Sequence, residues 1–159
     1  MANLGQFIKK KERFDLREQE ACLSLWRAPD LLGMVHDAFF AEYGLSAHQF
    51  NTLRILRGEY PAKLPVKEIK KRLITRCPEM KLLIDRLARS GLVSLERPQT
   101  NRRTVLVVIT RKGLDCLENM DEPLLRMHRH QLGHLTAAEK EKFIILLDRV
   151  REPREKNRR

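Results

Sequence analysis

The sequence predicts a mostly α-helical fold that carries one small β-hairpin, which places the chain in the α+β class. Apolar residues recur at helical spacing over 12–43 and again over 111–152. Between these regions, two apolar runs that begin at Leu92 and Val105 flank a stretch of arginines and small polar residues, as strands flank a hairpin tip. The 159 residues, 42% hydrophobic and 33% charged, fit one domain with extensions.

The first helix is expected over 12–43, where Leu, Trp, Val and Phe residues follow the helical period. Pro29 lies inside this pattern. Because proline removes a backbone donor, we expect a kink or a break just before it, near residues 27–28. Gly44 is the expected end of the helix.

Two shorter helices are predicted after Gly44. Ser46 and Gln49 form a capping box, a hydroxyl followed three residues later by a glutamine, and this pattern indicates a helix start. Gly58 is the expected end. Pro65 suits the first position of the next helix, which is predicted over 65–74.

A helix–turn–helix and a hairpin follow. A link over 75–77 leads to a helix over 78–90, whose apolar side chains form one stripe for burial: Met80, Leu83, Ile84 and Leu87. Two helices joined by such a turn form a helix–turn–helix. The hairpin is predicted as strands 92–97 and 103–110 around a tip at 98–102. The combination predicts a winged helix–turn–helix, with the hairpin as the wing.

The C-terminal third is predicted to be helical. Thr110 is a candidate cap for a helix over 111–120, and Pro123 is expected to kink or restart it. Gly133 is the expected end. A second capping box, Thr136–Glu139, opens the last helix.

Positive charge is concentrated in the centre of the chain. Between Lys63 and Lys112 there are fourteen lysines and arginines and four acidic residues, an excess of ten positive charges out of the net +11. Such a field attracts a polyanion, with nucleic acid as the first candidate and an anionic membrane surface as the second. Residues 63–112 contain no Phe, Tyr or Trp for stacking on single-stranded bases, which disfavours RNA and leaves duplex DNA. Binding to another protein is the remaining alternative for a winged helix.

The sequence contains none of the common motifs of enzymes and cofactor-binding proteins. There is no phosphate loop, nucleophile elbow, paired-histidine zinc motif or dinucleotide-binding glycine turn, so we predict neither an enzyme nor a cofactor. No apolar run approaches the length of a membrane span, and the N-terminus does not resemble a signal peptide. Three widely spaced cysteines fit a reducing compartment, so we expect a cytoplasmic protein without a membrane role.

Residues 45–113, and less sharply 16–152, resemble the MarR (multiple antibiotic resistance regulator) family. The resemblance lies in "MKLLIDRLARSGLV", "NRRTVLVVITRKG" and "LTAAEKEKFIILLDRV". It implies a homodimer joined by the terminal helices, a pseudo-palindromic operator in double-stranded DNA, and most often a repressor that a small-molecule inducer releases. The resemblance therefore implies one integrated domain of three regions: N-terminal dimerisation helices (1–44), a DNA-binding winged helix–turn–helix (45–113), and C-terminal dimerisation helices with a basic tail (114–159).

The predicted DNA-binding residues fall into two groups. The recognition group lies off the buried stripe of the 78–90 helix, whose N-terminal half is expected in the major groove. Its Arg and Lys can donate to guanine, its Glu can accept from a cytosine amine and its Leu can contact a thymine methyl group. The wing group is expected at phosphates or in the minor groove. The recognition group is Arg76, Glu79, Lys81, Leu82 and Arg86, and the wing group is Asn101, Arg102 and Arg103.

An ordinary solvated face is the alternative interpretation of the recognition group. One departure from the family concerns the wing, in which an Asp usually stands two residues before the key arginine. This sequence has Asn101 before Arg103, so the carboxylate that would orient the arginine is missing.

The sequence patterns that suggest signal-sensing residues are less specific than those for DNA binding. Four residues could line a small-molecule pocket, with core packing as the alternative: Trp26, His36, Phe39 and Phe40. Cys22 lies roughly where peroxide-sensing family members carry a reactive thiol, but the tyrosines that accompany that thiol are missing from "SAHQFNTL", and a buried apolar cysteine is the alternative. Cys77 precedes the recognition helix, where the helix dipole favours a thiolate. The histidines of "HRHQLGH" have neither the spacing nor the partners of a zinc site, so no metal is predicted.

Overall fold

The structure is a computed structural model that describes residues 4–9, 14–99 and 104–156. The chain divides into two compact units, Met1–Leu117 and Glu118–Arg159. The three-region division at residues 44/45 and 113/114 remains a prediction. Within the described residues, no helix combines the length and the apolar character that a membrane crossing requires.

The described residues form mostly helices and one small antiparallel sheet, which confirms the predicted fold class. The first unit contains the sheet and the helix–turn–helix, and one long helix, α6, continues from this unit into the second. The helices are α1 (Leu4–Phe7), α2 (Arg17–Glu42), α3 (Ala47–Glu59), α4 (Val66–Arg72), α5 (Met80–Arg89), α6 (Arg111–Leu132) and α7 (Ala137–Lys156); the strands are β1 (Leu64–Pro65), β2 (Val93–Glu96) and β3 (Leu106–Ile109).

The sheet contains one strand that sequence patterning did not predict. Its order is β1-β3-β2, and β3 pairs antiparallel with both neighbours. Val93 faces Ile109 across the hairpin, and Leu64 faces Val107 on the other edge. β1 has two residues, too few to show an alternating pattern. Its proline lies on an edge strand, where a missing backbone donor is tolerated.

Both predicted capping boxes are present. The Gln49 backbone N–H donates to Ser46 Oγ (3.3 Å), and the Ser46 N–H donates to Gln49 Oε1 (2.8 Å). At the start of α7, the Glu139 N–H donates to Thr136 Oγ1 (3.2 Å), and the Thr136 N–H donates to Glu139 Oε2 (2.8 Å). These bonds satisfy backbone donors that a helix start otherwise leaves free.

The prolines do not divide the helices. α2 runs through Pro29 and α6 runs through Pro123, so the predicted break in the first and restart in the second are wrong. A kink at each proline, the other form of both expectations, stays a prediction. A proline removes only its own N–H bond, whereas the turns on each side keep theirs and continue the helix.

Two helix starts differ from the prediction by one or two residues. Pro65 occupies the N-cap position of α4 instead of its first helical position, because its backbone is in the extended conformation of β1. The recognition helix α5 begins at Met80 and not at residue 78, and Glu79 is its N-cap residue.

The wing is attached to the start of α6 through Thr110 and Gly113. Thr110 Oγ1 donates to the Gly91 carbonyl (2.7 Å) and accepts from the Gly113 N–H (3.1 Å), which confirms Thr110 as the cap. A Cβ on residue 113 would lie 2.3 Å from the Leu92 carbonyl oxygen. Only glycine therefore lets the helix approach the backbone at Leu92, just before β2, this closely.

Candidate nucleic-acid interface

Helix α5 has one buried face and one charged face. Its predicted stripe is buried, and Leu87 is 0% exposed. Lys81 and Arg86 project from the other side, together with Leu82, which is 38% exposed. The apolar stripe against the core thus fixes which side chains face outward.

Two of the predicted recognition residues precede the helix. Arg76 lies in the link between α4 and α5, and Glu79 occupies the N-cap position without a side-chain capping bond. Both side chains are exposed beside the start of α5. The predicted recognition group thus combines the end of the link with the first two turns of the helix.

Ion pairs hold two of the four cations of α4, whereas the predicted recognition cations have no such pairs among the described residues. Lys71 pairs with Glu68 at 2.7 Å, and Arg72 pairs with Glu59. The hydrogen bond from Lys71 holds the pKa of Glu68 below its usual value. Among the residues that the structure describes, no carboxylate forms an ion pair with Arg76, Lys81 or Arg86. Their charge is therefore available to an external anion.

A groove of about 550 Å³ separates α5 from the base of the wing. Lys81 and Asp85 line it from α5, and Arg97 lines it from the end of β2. Lys63, before β1, pairs with Glu96 on β2 and ties the two outer strands of the sheet together. The wing group, Asn101, Arg102 and Arg103, lies outside the described residues.

His48 connects α3 to the link, a contact that the sequence patterns did not predict. Its Nε2 atom lies 3.1 Å from Thr75 Oγ1 and 3.2 Å from the Arg76 carbonyl oxygen. The partners are 27 and 28 residues away in the chain, so no local pattern could have indicated the contact.

Three of the four predicted pocket residues lie in one aromatic cluster at the end of α2. The Phe40 ring stacks on the Phe50 ring, with 4.7 Å between the ring centroids. The ring centroids of Phe39 and His36 lie 5.5 Å and 6.2 Å from that of Phe40. Trp26 is 74% exposed. It precedes His36 by ten residues, about 15 Å along a helix axis, and therefore lies away from this cluster.

The cysteines differ in their surroundings. Cys22 is exposed, so the alternative that it is a buried apolar residue of this chain does not hold. Cys77, in contrast, is buried. Burial raises the pKa of the Cys116 thiol, and the nearby Lys112 opposes this effect. In the described part of the chain, no three His, Cys, Asp or Glu side chains converge to hold a metal ion.

A helix–turn–helix with an unpaired basic face, attached to a small antiparallel wing, defines the winged helix–turn–helix class. A crystal structure of a MarR transcription factor from Planctomyces limnophilus is 42% identical in sequence, with a TM-score of 0.69, over 86% of this chain and 98% of that one. The chain belongs to the MarR family of transcription regulators.

Two further relatives agree with this assignment. The HTH-type transcriptional regulator TtmR of Methylorubrum extorquens is 27% identical over 139 residues, which are 84% of this chain. The chain spans 65% of the length of this curated relative. A variant of E. coli MarR in complex with operator DNA is 26% identical, with a TM-score of 0.68, over 82% of this chain and 95% of that one. No family model matches the chain.

Proposed function

We propose that this protein is a sequence-specific regulator of transcription that binds double-stranded DNA as a homodimer. The observation that carries the proposal is the outward face of α5 and its preceding link, where Arg76, Lys81 and Arg86 have no ion-pair partner among the described residues. The relative from E. coli, seen with operator DNA, supports the same conclusion.

In this proposal the link and the first turns of α5 enter the major groove. Arg76 and Lys81 donate to guanine, and Leu82 contacts a thymine methyl group. Glu79 accepts from a cytosine amine. Arg86 lies further along the helix, within reach of base edges or phosphates. The wing group, Asn101, Arg102 and Arg103, contacts the phosphate backbone or the minor groove.

The terminal helices support the homodimer. On α2, Leu31 and Met34 are exposed apolar residues, and on α7 four consecutive apolar residues, Phe143–Leu146, are exposed. A concentration of exposed apolar side chains is typical of an interaction site. A two-fold dimer would bury these faces and would present two copies of α5 to a pseudo-palindromic operator.

The proposal includes repression that a small-molecule inducer relieves. His36, Phe39 and Phe40 are the candidate residues for sensing, because they connect α2 to Phe50 at the helix that precedes the helix–turn–helix. We assign Trp26, which is exposed and distant from this cluster, to the dimer interface. No catalytic role is proposed, and binding to chromosomal operators would place the protein in the cytoplasm.

One observation favours a second candidate, regulation through thiol oxidation. Cys22 is exposed and open to oxidants. Under this alternative, mild oxidation would release DNA from the wild-type protein but not from Cys22→Ser. Equal release from both proteins would remove Cys22 from the mechanism.

Selection of bound duplexes from a random pool tests the main proposal. We expect enrichment of an inverted repeat whose half-sites are spaced about one helical turn apart. Affinity for the selected duplex should fall steeply with salt, by about 0.9 log unit per log unit of salt for each phosphate contact. A pool that stays random after selection, or an affinity that does not change with salt, would contradict the proposal.

A further inference from the structure

The link between α4 and α5 is held by a residue of another helix. At the start of α5, Glu79 makes no side-chain capping bond, so the recognition helix lacks the local bond that holds a typical helix start. The contact comes instead from α3. The His48 ring places Nε2 3.1 Å from Thr75 Oγ1 and 3.2 Å from the Arg76 carbonyl oxygen.

The partners of the His48 ring bear on which of its two nitrogens carries the hydrogen. A carbonyl oxygen can only accept, so a hydrogen bond to Arg76 requires a hydrogen on Nε2. The Thr75 hydroxyl oxygen can accept from the same N–H. Nε2 without a hydrogen would instead face the lone pairs of the Arg76 oxygen, with no bond between them.

The other end of the contact is rigid. His48 lies in the first turn of α3, where the Ser46–Gln49 capping box holds the backbone with two hydrogen bonds. The same helix inserts Leu53, which is completely buried, into the core. A short side chain on such a helix end fixes its partner more closely than a long surface side chain would.

We propose that His48 is a positioning residue for DNA recognition. It holds the backbone at Arg76 so that the Arg76 side chain enters the major groove in a single geometry. The inference rests on the proposed DNA-binding function. It adds a residue, His48, that does not contact DNA itself but orients the arginine that contacts the bases.

A double-mutant cycle on the cognate and on a random duplex tests this role. His48→Ala should weaken binding to the cognate duplex about tenfold, the loss expected for one hydrogen bond that orders a binding residue, and should leave random binding within about twofold. His48→Gln, whose amide can donate at a similar reach, should recover most of the affinity. His130→Ala, which removes an exposed histidine of α6, is the matched control and should change neither affinity.

The cycle separates positioning from direct contact. In an Arg76→Ala background, His48→Ala should cost less than about twofold on the cognate duplex, because the arginine that it positions is gone. Additive losses would overturn the proposal, since they would mean that His48 acts independently of Arg76. Equal losses on cognate and random duplexes, or a loss that matches a fall in folding stability, would also overturn it.

Nuclear magnetic resonance tests the contact without DNA. The His48 ring should be the Nε2-protonated tautomer at a pH where histidine is neutral, and His48→Ala should shift the amide signals of Thr75, Arg76 and Cys77. The opposite tautomer, or unchanged link signals, would refute the contact. If the wild-type protein shows no sequence preference while both signatures are present, the proposed function fails and the contact stands.

Discussion

The recognition helix α5 and the last helix α7 bury their apolar residues differently. On α5 the apolar stripe is covered by the chain's own core, and its four members are at most 7% exposed. On α7 the consecutive residues Phe143–Leu146 are all exposed, and Ile144 is 54% exposed. A helix whose apolar face is already covered can offer its polar face to a solvated partner such as DNA. A helix with uncovered apolar residues is typical of an interaction site.

The starts of the two helices differ as well. A complete capping box between Thr136 and Glu139 precedes α7, whereas the N-cap residue of α5, Glu79, makes no side-chain capping bond. The segment before the recognition helix instead contacts a distant residue, His48. The helix start that is proposed to read DNA is thus supported by a tertiary contact, and the helix of the proposed interface is supported locally.

The largest expected effect is on the buried face of α5. Leu87→Ala removes a side chain with no exposed surface and should lower the free energy of unfolding by about 2–5 kcal/mol. Leu82→Ala, on the outer face of the same helix, is the matched control and should cost less than about 1 kcal/mol. Denaturant titration measures both. Similar losses would mean that α5 does not have the two faces described.

The next effect concerns the exposed apolar residues of α7. Ile144→Asp should convert the homodimer to a monomer, because it places a charge in the proposed interface. Lys142→Asp, at an exposed polar position of the same helix, should leave the dimer intact. Sedimentation at micromolar concentration distinguishes the two species. A wild-type protein that is already a monomer would refute the assignment of α7 to an interface.

Arg76, in the link, and Lys81, on α5, test the proposed recognition surface. Replacing each by alanine should, for at least one of them, cost about 1–3 kcal/mol on the cognate duplex and relax the preference at one base position. Binding to random duplexes should change little. Loss of affinity that is equal for all sequences would reassign both residues to phosphate contacts.

The wing should behave differently from the recognition helix. Arg103→Ala should weaken binding to cognate and random duplexes alike and lower the salt slope by about 0.9 per half-site, as expected when one phosphate contact is lost. Asn101→Asp should cause a smaller loss, because it adds negative charge near the DNA backbone. A selective effect of Arg103→Ala on one sequence would show that the wing reads bases.

The smallest expected effect is the pH dependence of the α7 capping box. Hydrogen bonds from the Thr136 backbone and side chain lower the pKa of Glu139 in the folded protein. Its contribution to stability is therefore complete above the unfolded-state pKa and is lost as pH falls through the lowered folded value. Glu139→Gln should remove this contribution to the change of unfolding free energy with pH at acidic pH. Unfolding curves of both proteins between about pH 3 and pH 6 measure the difference, and identical slopes would contradict it.

Local signals in the sequence determined the fold class, both capping boxes, the Thr110 cap and the α5 stripe. The caps and the stripe depend on residues within one or two helical turns, and the fold class depends on the period of apolar residues along each segment, so spacing along the chain carries the information. The excess of positive charge in the centre of the chain likewise indicated a polyanionic partner, because a count of charges along the sequence does not depend on how the chain folds.

Only the tertiary structure determined that α2 and α6 run through their prolines, that Leu64–Pro65 forms a third strand, and that His48 bonds to the link before α5. The tertiary structure also separated Trp26 from His36, Phe39 and Phe40. It showed as well which lysines and arginines form ion pairs with carboxylates. The strand pairing and the His48 contact join residues far apart in sequence, and composition and periodicity do not record which distant segments will meet when the core packs.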